Sequence, residues 1–147
     1  VFGRKQDPNG PYAAVIPKFV YQLMKGQSPI VNGDGNFSRD FTYIDNVIQA
    51  NLLSLICTNK NVINTVYNVA YGERNTLNNL LKYLIRYLSE FDSKISNIEV
   101  IYGPFREGDI PHSHASIEKA RKNLNYNPHF NLEKGLKEAV KWYWKNL

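Results

Sequence analysis

Residues 32–52 read NGDGNFSRDFTYIDNVIQANL, and they place a turn, an extended segment and a helix in direct succession. Gly33-Asp34-Gly35 is a turn signal. The β-branched and aromatic run NFSRDFTYI that follows suits a short extended segment. Asp45 is then placed to cap a helix running through VIQANLLSLIC, because its side chain can accept from the first free backbone N–H groups. Working outward, Ile16 to Lys25 is expected to be a helix, with Pro17 in its first turn and Gly26 as its stop. PIVNGDG supplies a second short extended segment ahead of the turn. Downstream, TVYNVA (65–70) has the apolar run of a buried strand. Thr76 caps a helix that lines up Leu77, Leu80, Leu81, Leu84, Ile85 and Leu88 on one face. IEVIY (98–102) reads as a strand, FREGDIPHS (105–113) as a polar loop, and two helices close the chain, Ser116 to about Leu124 and Asn131 to about Asn146. The fold class is α/β, with helices outnumbering short strands. That pattern makes a small mixed layer that packs against something else, with no complete sheet and no dinucleotide crevice of its own.

Composition narrows the function. The 147 residues make one domain, long enough for a core, with 43% hydrophobic and 21% charged residues. No apolar run reaches the 18 residues that suggest a membrane span. The single cysteine, Cys57, lies in the apolar LLSLIC and cannot form an internal disulfide, which favours a reducing compartment and a cytoplasmic location. The net charge of +5 is modest, and the C-terminal lysines alternate with glutamates at helical spacing. Nucleic-acid binding would need a denser basic stripe with stacking aromatics. His112, His114 and His129 lack the spacing and companion ligands of a metal site. Tyr21 and Lys25, four apart, have the spacing of a dehydrogenase Tyr-Lys pair, but no glycine fingerprint precedes them and an amphipathic helix explains them.

Two segments hold charges that a fold alone does not require. Arg39 sits in the β-prone SRDFTYI, where an unpaired guanidinium is costly. Either Asp40 or another acid neutralises it, or its fork grips a phosphate or carboxylate. In PFREGDIPHS, Arg106 and Asp109 are three apart. They either bridge each other or divide the work, with Arg106 on a diphosphate and Asp109 accepting from ribose hydroxyls.

Taken in order, VFGRKQDPNGPYAAVIPKF, NGDGNFSRDFTYIDNVIQANL, VYNVAYGERNTLNNL, FREGDIPHSHASIEKARKNLNYNP and GLKEAVKWY resemble the C-terminal portion of the extended short-chain dehydrogenase/reductases. Within them the pattern is most similar to bacterial UDP-N-acetylglucosamine 4-epimerases. The resemblance covers residues 1–147. It implies a substrate-binding domain that normally packs against an N-terminal Rossmann domain holding NAD and the catalytic Tyr-Lys set. It further implies interconversion of UDP-GlcNAc and UDP-GalNAc, or of UDP-Glc and UDP-Gal, through a transient 4-keto sugar in a homodimeric parent. Carried over by residue, Ala14 and Val15 match a backbone site near the nucleotide, and Asn32 a polar contact on the uridine side. Arg39 and Arg106 match the diphosphate arginines, and Asp109 the ribose acid. Ile30 stands where relatives often carry an aromatic for the uracil. The chain opens without Met and in the middle of a motif, so it is expected to be a fragment, inactive alone, with an exposed apolar surface and marginal stability. The alternatives are a nucleotide-sugar dehydratase or decarboxylase, and a non-catalytic UDP-sugar-binding module.

Overall fold

The computed structural model describes residues 1–8 and 14–147. The part of the opening motif from Asn9 to Ala13 lies outside the described residues. Three helices make the main core: α1 (Val15–Met24), α3 (Leu77–Ser89) and α5 (Leu132–Asn146). Each has an apolar stripe at helical spacing. Ile16, Phe19, Val20 and Leu23 of α1 meet Leu80, Leu81, Leu84 and Leu88 of α3. Leu132, Leu136, Ala139, Val140 and Tyr143 of α5 close the third side. Gly135 lets α5 approach closely, since a Cβ there would stand 2.8 Å from the Phe2 ring. The Tyr143 hydroxyl donates to the Gly3 carbonyl at 2.8 Å, tying the last helix to the first residues.

The helix ends follow local chemistry. α1 ends in two backbone bonds, Gly26 N–H to Leu23 and Gln27 N–H to Gln22, with Gly26 at φ +68°. Thr76 accepts from Asn79 N–H to cap α3, and Asn131 accepts from Lys134 N–H to cap α5, both as expected. Asp45 does not cap α2 (Ile44–Ile56). Tyr43 holds the N-cap position, and Asp45 sits in the first turn, paired with Arg4 at 3.1 Å. A 3₁₀ turn at Ser93–Asn97 was not evident from the sequence.

Among the described residues, four short strands form two small sheets. β1 (Ile30–Asn32) pairs in parallel with β4 (Ile101–Gly103), Val31 opposite Tyr102. β2 (Ser38–Arg39) pairs antiparallel with β3 (Asn75–Thr76). The expected strand at IEVIY is therefore paired only over its last residues, because Ile98 and Val100 pack on the core instead. TVYNVA is not a strand. A ladder needs a neighbour, and among the described residues no strand lies beside it. Its carbonyls are met by side chains instead: Lys119 Nζ reaches Val66 O at 2.9 Å, and the Tyr126 hydroxyl reaches Ala70 O at 2.8 Å.

α2 packs on α4 (Glu118–Leu124) through a second, smaller cluster of Ala50, Ala70, Ile117, Ala120 and Tyr126. Its other face is bare, with Leu52, Leu55 and Ile56 at 55%, 81% and 70% exposure. Val66, the second residue of TVYNVA, is 83% exposed. This is the exposed apolar surface anticipated from the sequence. Asn46 anchors α2 to the segment before α5. Its amide donates to Phe130 O at 2.7 Å and accepts from His129 and Phe130 N–H at 3.0 and 3.1 Å.

Candidate functional site

The cleft begins at the Asn-Gly-Asp-Gly turn. Gly33 and Gly35 sit at φ +76° and +74°, a region that costs side-chain-bearing residues energy. Asp34 folds back to accept from the Asn36 N–H and side-chain amide, each at 2.9 Å. Those two donors hold its carboxyl below the usual carboxylate range. Asn78 of α3 then locks the turn from outside. Its amide donates to Asp34 O and Asn36 Oδ1, and its oxygen accepts from the Tyr102 hydroxyl at 2.9 Å. The turn therefore redirects the chain from β1 to β2 at a fixed angle, leaving a hollow between the strands and α1.

That hollow has a volume of about 280 Å³. Val15, Lys18 and Phe19 of α1 form one wall, and Ile30, Val31 and Asn32 of β1 another. Phe37, Arg39 and Phe41 come from β2 and its flanks, Leu77 from the start of α3, and Asp109 from the loop after β4. A second recess of about 260 Å³ adjoins it, lined by Ala14, Ile16, Phe2 and Asp40. Val15, Arg39 and Phe41 border both. Four of the six residues singled out in the sequence, Val15, Asn32, Arg39 and Asp109, thus share one cleft, and Ala14 lies in the recess beside it. Arg106 is exposed in the same loop as Asp109 and lines neither hollow.

The charges are arranged in a way the sequence left open. Asp40 does not neutralise Arg39. Its two oxygens accept from the backbone N–H groups of Tyr71 and Gly72 at 3.1 and 2.9 Å. Arg39 donates instead to the carbonyls of Ser38 and Pro111 at 2.9 and 3.3 Å, and among the described residues no carboxylate pairs with it. It is a half-buried cation on the ridge between two hollows. Arg106 and Asp109 do not bridge either. The link between them is backbone, Asp109 N–H to Arg106 O at 3.3 Å. The first turn of α1 adds polarity of the same sign, since the leading N–H groups of a helix have no partner within it. Cations and N–H donors of this kind favour an anionic ligand.

The remaining polar candidates have other uses. His112 Nδ1 lies 2.9 Å from the Ser38 hydroxyl, stitching segment 111–113 to β2. Lys25 stands over the Tyr21 ring at 5.5 Å, at the end of α1 away from the cleft lining. Sequence reasoning missed Lys18, Phe37 and Phe41. Lys18 could have been found, because it lies three residues after Val15 and so on the same helical face.

A family model described as GDP-mannose 4,6 dehydratase matches residues 3–139. The chain belongs to that family. Solved structures share both sequence and fold with it. A UDP-N-acetylglucosamine 4-epimerase from Methanobrevibacter ruminantium, in complex with UDP-N-acetylmuramic acid, is 39% identical with a TM-score of 0.86, over 99% of this chain and 44% of that one. The UDP-glucose 4-epimerase of Thermotoga maritima, with UDP-glucose, is 34% identical with a TM-score of 0.84, over 98% and 43%. A proposed UDP-glucose 4-epimerase of Methanocaldococcus jannaschii is 36% identical over 99% of this chain and 44% of its own length. The chain spans less than half the length of each of these relatives, and its mixed α/β fold is that of the C-terminal domain of the family's epimerases.

Proposed function

We propose that this chain supplies the UDP-sugar pocket of an NAD-dependent nucleotide-sugar 4-epimerase. The observation that carries the reading is Arg39, a cation left unpaired by any described carboxylate, in a cleft shared with Val15, Asn32 and Asp109. A guanidinium fork suits a diphosphate. Asn32 and the apolar wall of Ile30, Val31 and Phe37 suit a base, and Asp109 suits ribose hydroxyls as an acceptor. The hollow of about 280 Å³ falls just below the range of roughly 300–1,000 Å³ for small-molecule sites. A nucleotide's base and ribose would occupy it, while the sugar would extend past Arg39 toward the recess of Ala14 and Phe2.

The sequence holds no Gly-x-Gly-x-x-Gly run, so NAD is assigned to a Rossmann segment outside this chain. When bound, NAD would supply reversible hydride transfer at the sugar's C4. This chain's part is to hold the nucleotide rigidly enough that the sugar can turn between its two faces. The uncovered face of α2 and the unpaired TVYNVA segment are where the Rossmann half of the same protein would pack. Homodimerisation belongs to that half in this reading. Among the described residues no helix is long and apolar enough to cross a membrane. Cytoplasmic location goes with a nucleotide-sugar substrate.

Calorimetry of the full-length protein with UDP tests the pocket. Saturable binding that Arg39→Ala weakens at least about tenfold supports the reading. A folded protein that takes up no UDP overturns it.

A further inference from the structure

The loop from Pro104 to Ile110 is fastened at two points by its backbone. At its start Gly33 N–H donates to Gly103 O and Pro104 O at 3.0 and 3.2 Å, and at its end Ser38 N–H donates to Pro111 O at 2.9 Å. Between these lies one side-chain clasp. The Phe105 ring lies 5.3 Å from that of Phe37, tilted by 38°. It also lies so close over Gly33 that a Cβ on that glycine would collide with it. Phe105 remains 59% exposed, so it gains little from burial, and its placement on two elements calls for another reason. The neighbouring residue is Arg106, exposed and without an ion-pair partner among the described residues.

We infer that Phe105 is a positioning residue: clasped by Phe37 and Gly33, it fixes the backbone that presents Arg106 to a ligand's diphosphate. The inference rests on the proposed function, which puts a diphosphate beside Arg39, and extends that contact to Arg106, three residues before Asp109 of the same cleft. An arginine on a mobile loop loses both loop and side-chain freedom when it grips a phosphate, and each costs affinity. A clasp one residue away removes the loop's share in advance. Gly33 makes the clasp possible in two ways, by tolerating φ +76° and by leaving room for the ring.

The test is a double-mutant cycle in the full-length protein, read by calorimetry with UDP and with uridine. Phe105→Ala is expected to weaken UDP about tenfold and uridine less than about twofold, the scale of coupled neighbours in one network. In the Arg106→Ala background the same substitution is expected to cost less than about twofold. Phe105→Tyr, which keeps the ring, should restore UDP binding. Equal UDP affinity in Phe105→Ala and the unaltered protein would overturn the inference. So would an equal loss for uridine, which would make Phe105 a direct contact to the nucleoside, or a loss undiminished without Arg106, which would show that Phe105 does not act through it. An unaltered protein that binds no UDP would overturn the reading of the cleft itself, and this proposal with it.

Discussion

Replacing Arg39 by alanine separates two roles that the structure gives one side chain. Structurally, Arg39 donates to Ser38 O and Pro111 O, and the second bond joins segment 111–113 to β2. Both acceptors keep other partners: Ser113 N–H donates to Ser38 O, and Ser38 N–H to Pro111 O. Losing the guanidinium therefore strands no acceptor, and the expected stability loss is small, about 1 kcal/mol. For the ligand the loss is larger. A charge-assisted bond to a diphosphate contributes roughly 1.5–3 kcal/mol, or about 10- to 150-fold in affinity. Uridine lacks the diphosphate and should lose less than about twofold, near the error of a surface substitution. Calorimetry of the unaltered protein and of Arg39→Ala with both ligands, beside a urea melt of each, reads all three numbers. An equal loss for UDP and uridine would refute the reasoning, because Arg39 would then be shaping the cleft instead of holding phosphate.

Three other outcomes follow from the same structure. Asn46→Ala removes three bonds to a part-buried junction and leaves His129 N–H and Phe130 N–H and C=O without that partner, so it should destabilise by about 1–3 kcal/mol; a urea midpoint within error of the unaltered protein's would contradict this. The chain alone should bind an apolar fluorescent dye, and a double substitution of Leu52 and Leu55 by glutamine should weaken that signal without loss of helix by circular dichroism. Burial pushes the Tyr126 phenol up to about 12, burial with the Glu133 bond does the same for Tyr87, and burial raises Tyr143 further. A raised folded pKa gives stability that is whole below the unfolded value near 10 and is lost as pH climbs through the folded one. Absorbance at high pH should therefore show these phenols ionising late, together with unfolding; early, reversible titration of all ten tyrosines would contradict it.

What the sequence made legible was local. The caps Thr76 and Asn131 and the stripes of α3 and α5 depend on residues within a few turns of each other, and the folded chain keeps them. TVYNVA shows where that logic stops. Its pattern is that of a buried strand, but a strand is a relation between two segments, and the described residues provide no second one. Asp45 was the natural cap by type, yet Arg4, far away in the chain, takes its carboxylate. In the site, the residue types pointed to Arg39 and Asp109. Whether Asp40 silenced Arg39 depended on Tyr71 and Gly72, more than thirty residues on, whose N–H groups occupy that carboxylate. Phe37 and Phe41, which flank β2, entered the cleft through that strand's pairing with β3, which no local pattern encodes.

The most direct measurement is the full-length protein's action on UDP-N-acetylglucosamine and UDP-glucose, followed by proton NMR of the sugar. The account predicts that a 4-epimer accumulates to an equilibrium mixture with at least one of them, and that Arg39→Ala raises the substrate concentration needed. A folded, full-length protein that neither binds nor epimerises any UDP-hexose would contradict it.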